Sequence, residues 1–313
     1  MGKIVIALGG NALQSGKGEA TAEAQLEVVK KTCAYIAELS DMGYEIGLVH
    51  GNGPQVGRIL LATEAANDIT PAMPFDVCGA MSQGYIGYHL QQALGYELKK
   101  RGKDTPVLTV VTQVVVDAED PGFKDPTKPI GPFYSAEAAK AVEAEKGYVL
   151  KEDSGRGFRR VVASPIPEDI VEIDAVRRLW DSSIVITCGG GGIPVVRSAD
   201  GKLEGVPAVI DKDYAAELLA EKIGADALMI LTEVEQVAIN FNKPNQENLS
   251  TLDLVTAQKY VDEGQFAPGS MLPKVKAAMK FVEANPGKKA IITSLDKAVE
   301  ALAGNTGTVI VNK

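Results

Sequence analysis

Short, uninterrupted runs of Val, Ile and Leu alternate along this 313-residue chain with longer segments of helical periodicity. Runs of this kind are typical of parallel strands that are covered on both faces. The alternation therefore predicts an α/β fold built on a parallel sheet. Strands are predicted at 4–8, 44–49, 107–112, 183–187, 226–231, 289–293 and 307–311. Helices are predicted at 54–66, 75–101, 212–224, 251–262, 271–285 and 295–303, and one more is marked by apolar residues three and four apart, Leu26, Val29, Cys33, Ile36 and Ala37.

Composition and charge exclude several classes of protein. A hydrophobic content of 45% with 23% charged residues is typical of a globular protein. The net charge of -9 argues against a nucleic-acid partner or an anionic membrane surface, since both attract basic proteins. No apolar run reaches the length of a membrane span, so we expect no membrane partner. The three scattered cysteines favour reduced thiols and a cytoplasmic location, and two histidines cannot form a multi-histidine metal site.

Two segments interrupt the alternation, and the shorter is a polar loop from Phe241 to Ser250 before helix 251–262. From Asp117 to about Pro167 there is little periodicity apart from a helix at 135–146, and six prolines occur. A stretch of this length without a place in the sheet predicts an inserted subdomain or lid. Lys128 lies there in a proline-framed loop. The densest basic patch of the chain follows, and it suits either the binding of phosphate or carboxylate or a salt-bridged surface: Arg156, Arg159 and Arg160.

Three predicted strands end in glycine clusters. Strand 4–8 leads into Gly9-Gly10-Asn11, strand 44–49 into Gly51-Asn52-Gly53, and strand 183–187 into residues 189–192. Glycine lets backbone amides approach an anion closely, and a helix N-terminus that follows adds a favourable dipole. A tight turn would explain one such cluster, but three at one sheet edge favour a ligand site.

The common nucleotide motifs are absent from these clusters. The chain has no GxxxxGK[ST] sequence, which excludes a P-loop protein. In the second cluster the last glycine, Gly57, is one residue too far for GxGxxG, and the strand before it ends in His50-Gly51 rather than in an acidic residue. These features disfavour a dinucleotide-binding dehydrogenase.

Two groups of charged residues could act on phosphate. Asp211-Lys212-Asp213 stands where the chain enters helix 212–224. A lysine there can neutralise phosphate charge, and a carboxylate can orient the lysine or bind Mg²⁺; the alternative is a capping Asp with solvated neighbours. Ser270 is a candidate N-cap for helix 271–285, and Lys274 on its first turn opposes the helix dipole, which suggests a bound polyphosphate.

These segments together resemble the amino acid kinase superfamily and, within it, the carbamate kinase family. The resemblance covers essentially the whole chain and rests on ordered segments that include Ala7-Leu8-Gly9-Gly10-Asn11-Ala12, His50-Gly51-Asn52-Gly53-Pro54-Gln55-Val56-Gly57, Pro126-Thr127-Lys128-Pro129-Ile130-Gly131, Gly190-Gly191-Gly192-Ile193-Pro194, Val209-Ile210-Asp211-Lys212-Asp213 and Gly269-Ser270-Met271-Leu272-Pro273-Lys274-Val275.

The resemblance implies a three-layer fold with a mostly parallel, eight-stranded sheet between helices, a protruding subdomain near 117–167, and a homodimer. It implies one domain over 1–313, with residues 1–210 binding carbamate or carbamoyl phosphate and residues 211–313 binding the nucleotide. The implied reaction is reversible phosphoryl transfer between carbamoyl phosphate and MgADP, which gives ATP and carbamate. The usual role of the family is in arginine fermentation, where carbamate decomposes to ammonia and carbon dioxide.

The resemblance also implies roles for single residues. Lys212 and Lys274 would hold the transferring phosphoryl group, Lys128 would reach in from the subdomain, and Asp211 would orient these lysines. Mg²⁺ would be held mainly by the nucleotide phosphates, with no direct protein ligand assigned. ADP would lie near Asp213, Ser270 and Lys274. The oxygens of the phosphoryl and carbamate groups would be bound by the Asn11 side chain and by the backbone amides of Gly9, Gly10, Gly51, Asn52 and Gly53.

One departure from the superfamily bears on the alternatives. Many of its acylphosphate-forming kinases carry a lysine two residues before the double glycine, where this chain has Ala7. This residue and the proline-rich insertion count against a kinase of the same superfamily that acts on an amino acid such as acetylglutamate or glutamate. A catalytically silent nucleotide-binding sensor is the second alternative, and the retained lysines count against it.

Overall fold

The computed structural model describes residues 2–14, 21–153 and 155–312. Within these ranges the strands, numbered in chain order, are β1 Lys3–Leu8, β2 Glu45–His50, β3 Val107–Thr109, β4 Gln113–Val116, β5 Lys128–Tyr134, β6 Leu150–Glu152, β7 Phe158–Val162, β8 Pro167–Ile170, β9 Ile184–Ile186, β10 Ile193–Arg197, β11 Leu203–Gly205, β12 Ala227–Thr232, β13 Val237–Ile239, β14 Glu247–Leu249, β15 Thr251–Asp253, β16 Lys289–Ser294 and β17 Thr308–Val311. The helices are α1 Ala22–Asp41, α2 Gly53–Ala65, α3 Phe75–Lys100, α4 Ala136–Lys146, α5 Ile173–Trp180, α6 Lys212–Ile223, α7 Leu254–Asp262, α8 Met271–Ala284 and α9 Ala298–Leu302. None of these helices combines the length and the apolar composition that crossing a membrane requires.

Eight of the described strands form the main sheet, in the order β15-β17-β16-β12-β1-β2-β9-β3. Every neighbouring pair runs parallel except β16 with β17. The mostly parallel, eight-stranded sheet expected from the sequence is confirmed.

Both faces of this sheet are covered by helices, because successive side chains of a strand point to opposite sides. Ile4 and Ile6 of β1 belong to a buried core that includes Ile36 of α1. Val5 and Ala7 belong to a second core that includes Phe281 of α8. The sheet is therefore the middle layer of three, which explains why its strands read as continuous apolar runs.

The predicted position of the glycine clusters is also confirmed. Strands β1, β2 and β9 are adjacent and parallel, so the segments after them meet at the same edge of the sheet. The second segment leads directly into an α-helix, since α2 begins at Gly53. The first continues as a short 3₁₀ turn, Gly10–Ala12. The third is a 3₁₀ turn, Gly189–Gly191, that leads into strand β10 and not into a helix.

Three element predictions are wrong in detail. The strand predicted at 107–112 ends at Thr109, because the chain leaves the main sheet and starts β4 in another. The polar segment at 241–250 contains β14, which pairs with β13. The helix predicted at 251–262 begins at Leu254, because the three residues before it form edge strand β15, and the Asp253 side chain caps the helix by accepting from the Thr256 amide at 2.9 Å.

The segment with weak periodicity forms a sheet of its own. Strands β5, β7 and β6 pair antiparallel in that order, and α4 lies between β5 and β6 in the chain. The helix at 135–146 was predicted, but the three strands were not. Most residues of β5 and β6 are exposed or half-buried, so these strands leave no apolar run in the sequence. We call residues 128–162 the roof, and strands β4 and β8 on either side of it belong to a separate four-stranded sheet with β10 and β11.

The roof packs on α2 at very close range. A Cβ placed on Gly57 of α2 would lie 2.2 Å from the Cα of Gly131 in β5. Any side chain at position 57 would therefore separate the two elements. The left-handed φ of +68° at Gly131 adds a second requirement for glycine at this contact.

Charged groups complete the contact between the roof and α2. Glu64 of α2 accepts a hydrogen bond from the Tyr148 hydroxyl and lies 3.2 Å from Lys146 Nζ and 3.6 Å from an Arg160 guanidinium nitrogen. The Arg160 guanidinium also lies 3.5 Å from the centre of the Tyr148 ring. These contacts hold the roof in one position above the sheet edge that carries the glycine segments.

A buried carboxylate on α6 makes the stability of the fold depend on pH. Glu217 is fully buried and its Oε2 lies 2.6 Å from Lys280 Nζ on α8. Burial raises the pKa of Glu217 from 4.5 to about 7, although Lys280 opposes the rise. The folded state therefore holds the proton of the Glu217 carboxyl more tightly than the unfolded state does. As a result, the free energy of unfolding should fall as the pH rises from about 4.5 to about 7.

Glu217→Gln is expected to remove that part of the pH dependence, since an amide does not titrate. Urea unfolding at pH 5 and pH 7.5 would measure the difference for the wild type, for Glu217→Gln and for Glu145→Gln, which changes an exposed carboxylate. The variant at 217 should lose less stability between the two pH values than the other two proteins. An equal loss in all three would show that Glu217 does not carry this proton.

Candidate active site

The first glycine segment faces the end of β12. A Cβ on Gly9 would lie 3.0 Å from the carbonyl oxygen of Leu231, so the two chain segments are in contact. The Asn11 side chain donates a hydrogen bond to Glu233, directly after β12. Gly10 and Asn11 are exposed. This segment therefore leaves accessible backbone groups at the sheet edge, next to the C-terminal half of the chain.

The second glycine segment lies between a lysine and the roof. A Cβ on Gly51 would lie 3.3 Å from Cδ of Lys212, and one on Gly53 would lie 3.3 Å from the carbonyl oxygen of Pro129 in β5. Gly53 is also the first residue of α2, where the helix dipole favours an anion. A small anion bound to this segment would contact groups from both the main sheet and the roof.

The third glycine segment supports the second from inside the fold. Gly190, Gly191 and Gly192 have left-handed φ values of +68°, +94° and +87°, and all three are buried. A Cβ on Gly190 would lie 2.2 Å from Nδ2 of Asn52, whose amide donates to Ser82 Oγ at 2.8 Å. The glycines thus make room for the Asn52 side chain, which points into the protein.

A cluster of lysines and carboxylates occupies the start of α6. Asp211 caps the helix by accepting from the Asp213 amide at 2.9 Å, as the simpler interpretation of the sequence had it. Its neighbours are not solvated, however, because the side chains of Lys212 and Asp213 are 11% and 1% exposed. Asp213 binds two lysines, Lys212 at 2.9 Å and Lys274 of α8 at 3.0 Å.

The roof contributes the third lysine of the cluster. Lys128, the first residue of β5, places its Nζ 2.6 Å from Oδ2 of Asp211. The structure thus brings all four residues of the predicted catalytic set together. The pairing differs from the expectation that Asp211 orients all three lysines, since Asp211 contacts Lys128 whereas Asp213 binds Lys212 and Lys274.

The ionisation of the cluster follows from burial and from these pairs. Burial would raise the pKa of Asp211, but Lys128 and Lys212 outweigh it and hold that pKa below its usual range. Burial lowers the pKa of Lys212, and Asp213 compensates only in part. For Lys274 the carboxylates win over burial, and its pKa is raised. The site is thus an array of charged groups that are largely removed from water, where electrostatic interactions are strong.

A cleft of about 1010 Å³ opens beside this cluster. Lys212 and Lys274 line the cleft, as do Gly9, Gly10 and Asn11. The cleft extends towards Ser270, which takes the N-cap position of α8 but makes no side-chain capping bond. Its volume suits a nucleotide or another drug-sized ligand.

Part of the cleft wall was not anticipated from the sequence. The wall includes segments that follow β12 and β16 and the loop before α8, among them Ala238, Asn240, Phe241, Phe266 and Leu295. The roof contributes Pro129, Asp153, Arg156 and Arg159 to the same wall. The segments after β12 and β16 could have been predicted to line the cleft, because each follows a predicted strand. The arginines could have been predicted from the basic patch.

Two titratable residues beside the glycine segments, His50 and Cys188, are buried. Cys188 is fully buried, and burial raises its thiol pKa to about 12. His50 is fully buried, and burial lowers its pKa to about 4. Neither residue is placed as a nucleophile or a base at the cleft.

Comparisons with known proteins agree with one another. A sequence model described as the amino acid kinase family matches residues 2–294. The carbamate kinase of Clostridium perfringens (strain 13 / Type A) is 58% identical over 313 residues, which are 99% of this chain and 99% of that protein. The carbamate kinase of Pyrococcus horikoshii is 52% identical over 309 residues, 98% of each chain. A solved structure of carbamate kinase from Giardia lamblia bound to AMP-PNP superposes with a TM-score of 0.91 at 44% identity, covering 100% of this chain and 99% of that one.

Proposed function

This chain belongs to the amino acid kinase family, and we propose that it transfers a phosphoryl group reversibly between carbamoyl phosphate and MgADP. The products are ATP and carbamate, and carbamate decomposes to ammonia and carbon dioxide. Relatives that are more than half identical over their full length are carbamate kinases, so the chain is a kinase with a carboxylate acceptor. The observation that carries the proposal is the lysine pair on Asp213 between the glycine segments and a nucleotide-sized cleft.

The chemistry needs no nucleophile from the protein. In the direction of carbamate phosphorylation the acceptor is already an anion, and in the reverse direction a β-phosphate oxygen of ADP attacks phosphorus. Catalysis is then positioning and neutralisation of charge. Lys212 and Lys274 supply cations for the phosphoryl oxygens. The backbone amides of Gly9, Gly10, Gly51, Asn52 and Gly53 and the Asn11 side chain supply hydrogen-bond donors.

ADP would occupy the end of the cleft formed by the C-terminal half of the chain. Ser270 and Lys274 lie at the start of α8, and the α8 N-terminus favours phosphate. Asp213 contributes indirectly, because both of its oxygens are bound to lysines. This arrangement supports a division into a carbamate-binding part at 1–210 and a nucleotide-binding part at 211–313.

Magnesium would enter with the nucleotide. The carboxylates of the cluster, Asp211 and Asp213, are engaged by lysines, and the described residues contain no group of three or more His, Cys, Asp or Glu side chains that could hold a metal. Mg²⁺ suits this arrangement because it commonly binds through substrate phosphates and water. It would neutralise charge on the β- and γ-phosphates, while the lysines act on the group being transferred.

Three further properties belong to the same proposal. The protein would be a homodimer, for which an exposed apolar stripe on α3, with Val77, Met81 and Tyr88, offers a surface. It would be cytoplasmic, in keeping with the free, buried cysteines Cys33 and Cys78. It would form ATP from carbamoyl phosphate, as in arginine fermentation.

The test is ATP formation from MgADP, measured by luciferase luminescence, with carbamoyl phosphate, acetyl phosphate and N-acetylglutamyl phosphate as parallel donors. We expect rapid ATP formation from carbamoyl phosphate and little from the other two. Preference for N-acetylglutamyl phosphate would assign the chain to an amino acid substrate. Calorimetric binding of ADP without turnover of any donor would identify a silent nucleotide sensor.

A further inference from the structure

Arg159 of the roof is fixed in place by two hydrogen bonds. Its Nε donates to the carbonyl oxygen of Gly131 at 3.1 Å, and one terminal nitrogen donates to Asp153 at 3.2 Å. The guanidinium also lies 5.2 Å from the centre of the Phe133 ring. The side chain is 10% exposed. A guanidinium held in this way loses little conformational entropy when it binds a further group.

The remaining terminal nitrogen, Nη2, is buried and has no hydrogen-bond partner among the described residues. A buried donor without a partner is costly, and a guanidinium is a charged one. Nη2 lies close to the glycine segment after β2, since a Cβ on Gly53 would lie 3.9 Å from it. Arg159 also lines the cleft together with Lys212. An oxygen of a small anion on this segment would satisfy the nitrogen.

The position of Arg159 indicates which end of the substrate it meets. Lys212 and Lys274 converge on Asp213 near the start of α8, where the proposed function puts the nucleotide phosphates, and Lys212 contacts the glycine segment at Gly51. Arg159 reaches the same segment two residues further on, from the roof. In an in-line transfer the phosphoryl group lies between the nucleotide and the acceptor. A phosphoryl group at the lysines therefore places the carbamoyl group at Arg159.

We propose, on the basis of the phosphoryl transfer inferred above, that Arg159 donates a hydrogen bond from Nη2 to an oxygen of the carbamoyl or carbamate group. When carbamoyl phosphate reacts, a β-phosphate oxygen of ADP forms a bond to phosphorus, and the bond from phosphorus to the carbamate oxygen breaks. The electron pair of that bond passes to the departing carbamate. A guanidinium donor at this oxygen stabilises the negative charge that develops there, and no proton has to be transferred.

The test compares Arg159→Gln and Arg159→Lys with Arg197→Gln, a charge-matched control on β10 whose side chain is 45% exposed. Initial rates of ATP formation give kcat and KM for carbamoyl phosphate at saturating MgADP, and calorimetry gives the Kd for ADP. We expect Arg159→Gln to lower kcat/KM for carbamoyl phosphate at least about 100-fold, and Arg159→Lys to lower it less. The Kd for ADP should stay within about twofold of the wild type, and Arg197→Gln should behave as the wild type.

Several outcomes would overturn the inference. A kcat/KM for Arg159→Gln equal to that of the wild type would show that Arg159 does not contact the substrate. A loss of ADP affinity as large as the loss of kcat/KM would assign Arg159 a structural role. So would a large drop in the melting temperature of both Arg159 variants, if their activity returned only on cooling. Absence of ATP formation by the wild type itself would refute the proposed reaction, which separates that failure from a failure at Arg159.

Discussion

Replacing Lys212 by alanine is expected to lower kcat by about 100- to 1,000-fold and to leave the fold intact. Lys212 lies at the junction of the glycine segment after β2, the cleft and Asp213. A well-aimed donor to charge that develops in a transition state contributes about 3 kcal/mol, which corresponds to this loss. The fold should survive because Asp213 keeps its second partner, Lys274, at 3.0 Å.

The measurement is kcat for ATP formation from carbamoyl phosphate, together with the urea midpoint of unfolding. Lys30→Ala is a suitable control, because Lys30 is an exposed lysine on α1 whose partner is Glu27. The control should match the wild type in both quantities. Near-normal turnover by Lys212→Ala would remove Lys212 from the mechanism, whereas an unfolded variant would show that the residue is needed for the structure.

Asp213→Asn should reduce both activity and stability. Asp213 is 1% exposed, and its two oxygens hold Lys212 and Lys274, both nearly buried. A neutral amide would leave two neighbouring lysines without the carboxylate between them. Removing one partner of a buried ion pair lowers the free energy of unfolding by about 3–5 kcal/mol. Both lysines would also lose their orientation, so we expect kcat to fall at least about 100-fold.

A bound anion should compensate in part for the missing carboxylate. Inorganic phosphate is therefore expected to raise the melting temperature of Asp213→Asn more than that of the wild type, since it supplies negative charge to the lysine pair that the variant leaves without a carboxylate. Asp262→Asn on α7 is the control, because Asp262 is exposed. Wild-type stability and turnover in Asp213→Asn would contradict the role of Asp213 as the carboxylate that orients the two lysines.

The main sheet could be predicted because its signals are local. Each central strand is buried on both faces, so it appears as a continuous apolar run, and each covering helix keeps a periodic apolar face. The glycine segments follow directly, since parallel neighbours such as β1 and β2 end at the same edge. The N-cap at Asp211 could also be predicted, because capping involves residues that are two or three apart in the chain.

The strands of the roof could not be predicted in this way. Their residues are mostly half-buried or exposed, and their stability comes from pairing within a small antiparallel sheet and from contact with α2. Glu64 shows the difficulty: it lies in an ordinary amphipathic helix, yet its side chain joins three residues of the roof. Only the folded chain reveals that the glycine at position 57 is a contact and not a weak point in the helix.

The sequence by itself determined the α/β class, the edge where the ligand-binding segments meet, and the lysines and carboxylates of the cluster. Tertiary structure alone decided which groups pair and where they point. Lys128 reaches Asp211 across 83 residues of chain, Lys274 reaches Asp213 across 61, and Arg159 meets a glycine more than a hundred residues earlier. Local patterns are set by short-range backbone and burial preferences, whereas such pairings depend on how distant elements pack, and no local signal in the sequence records that.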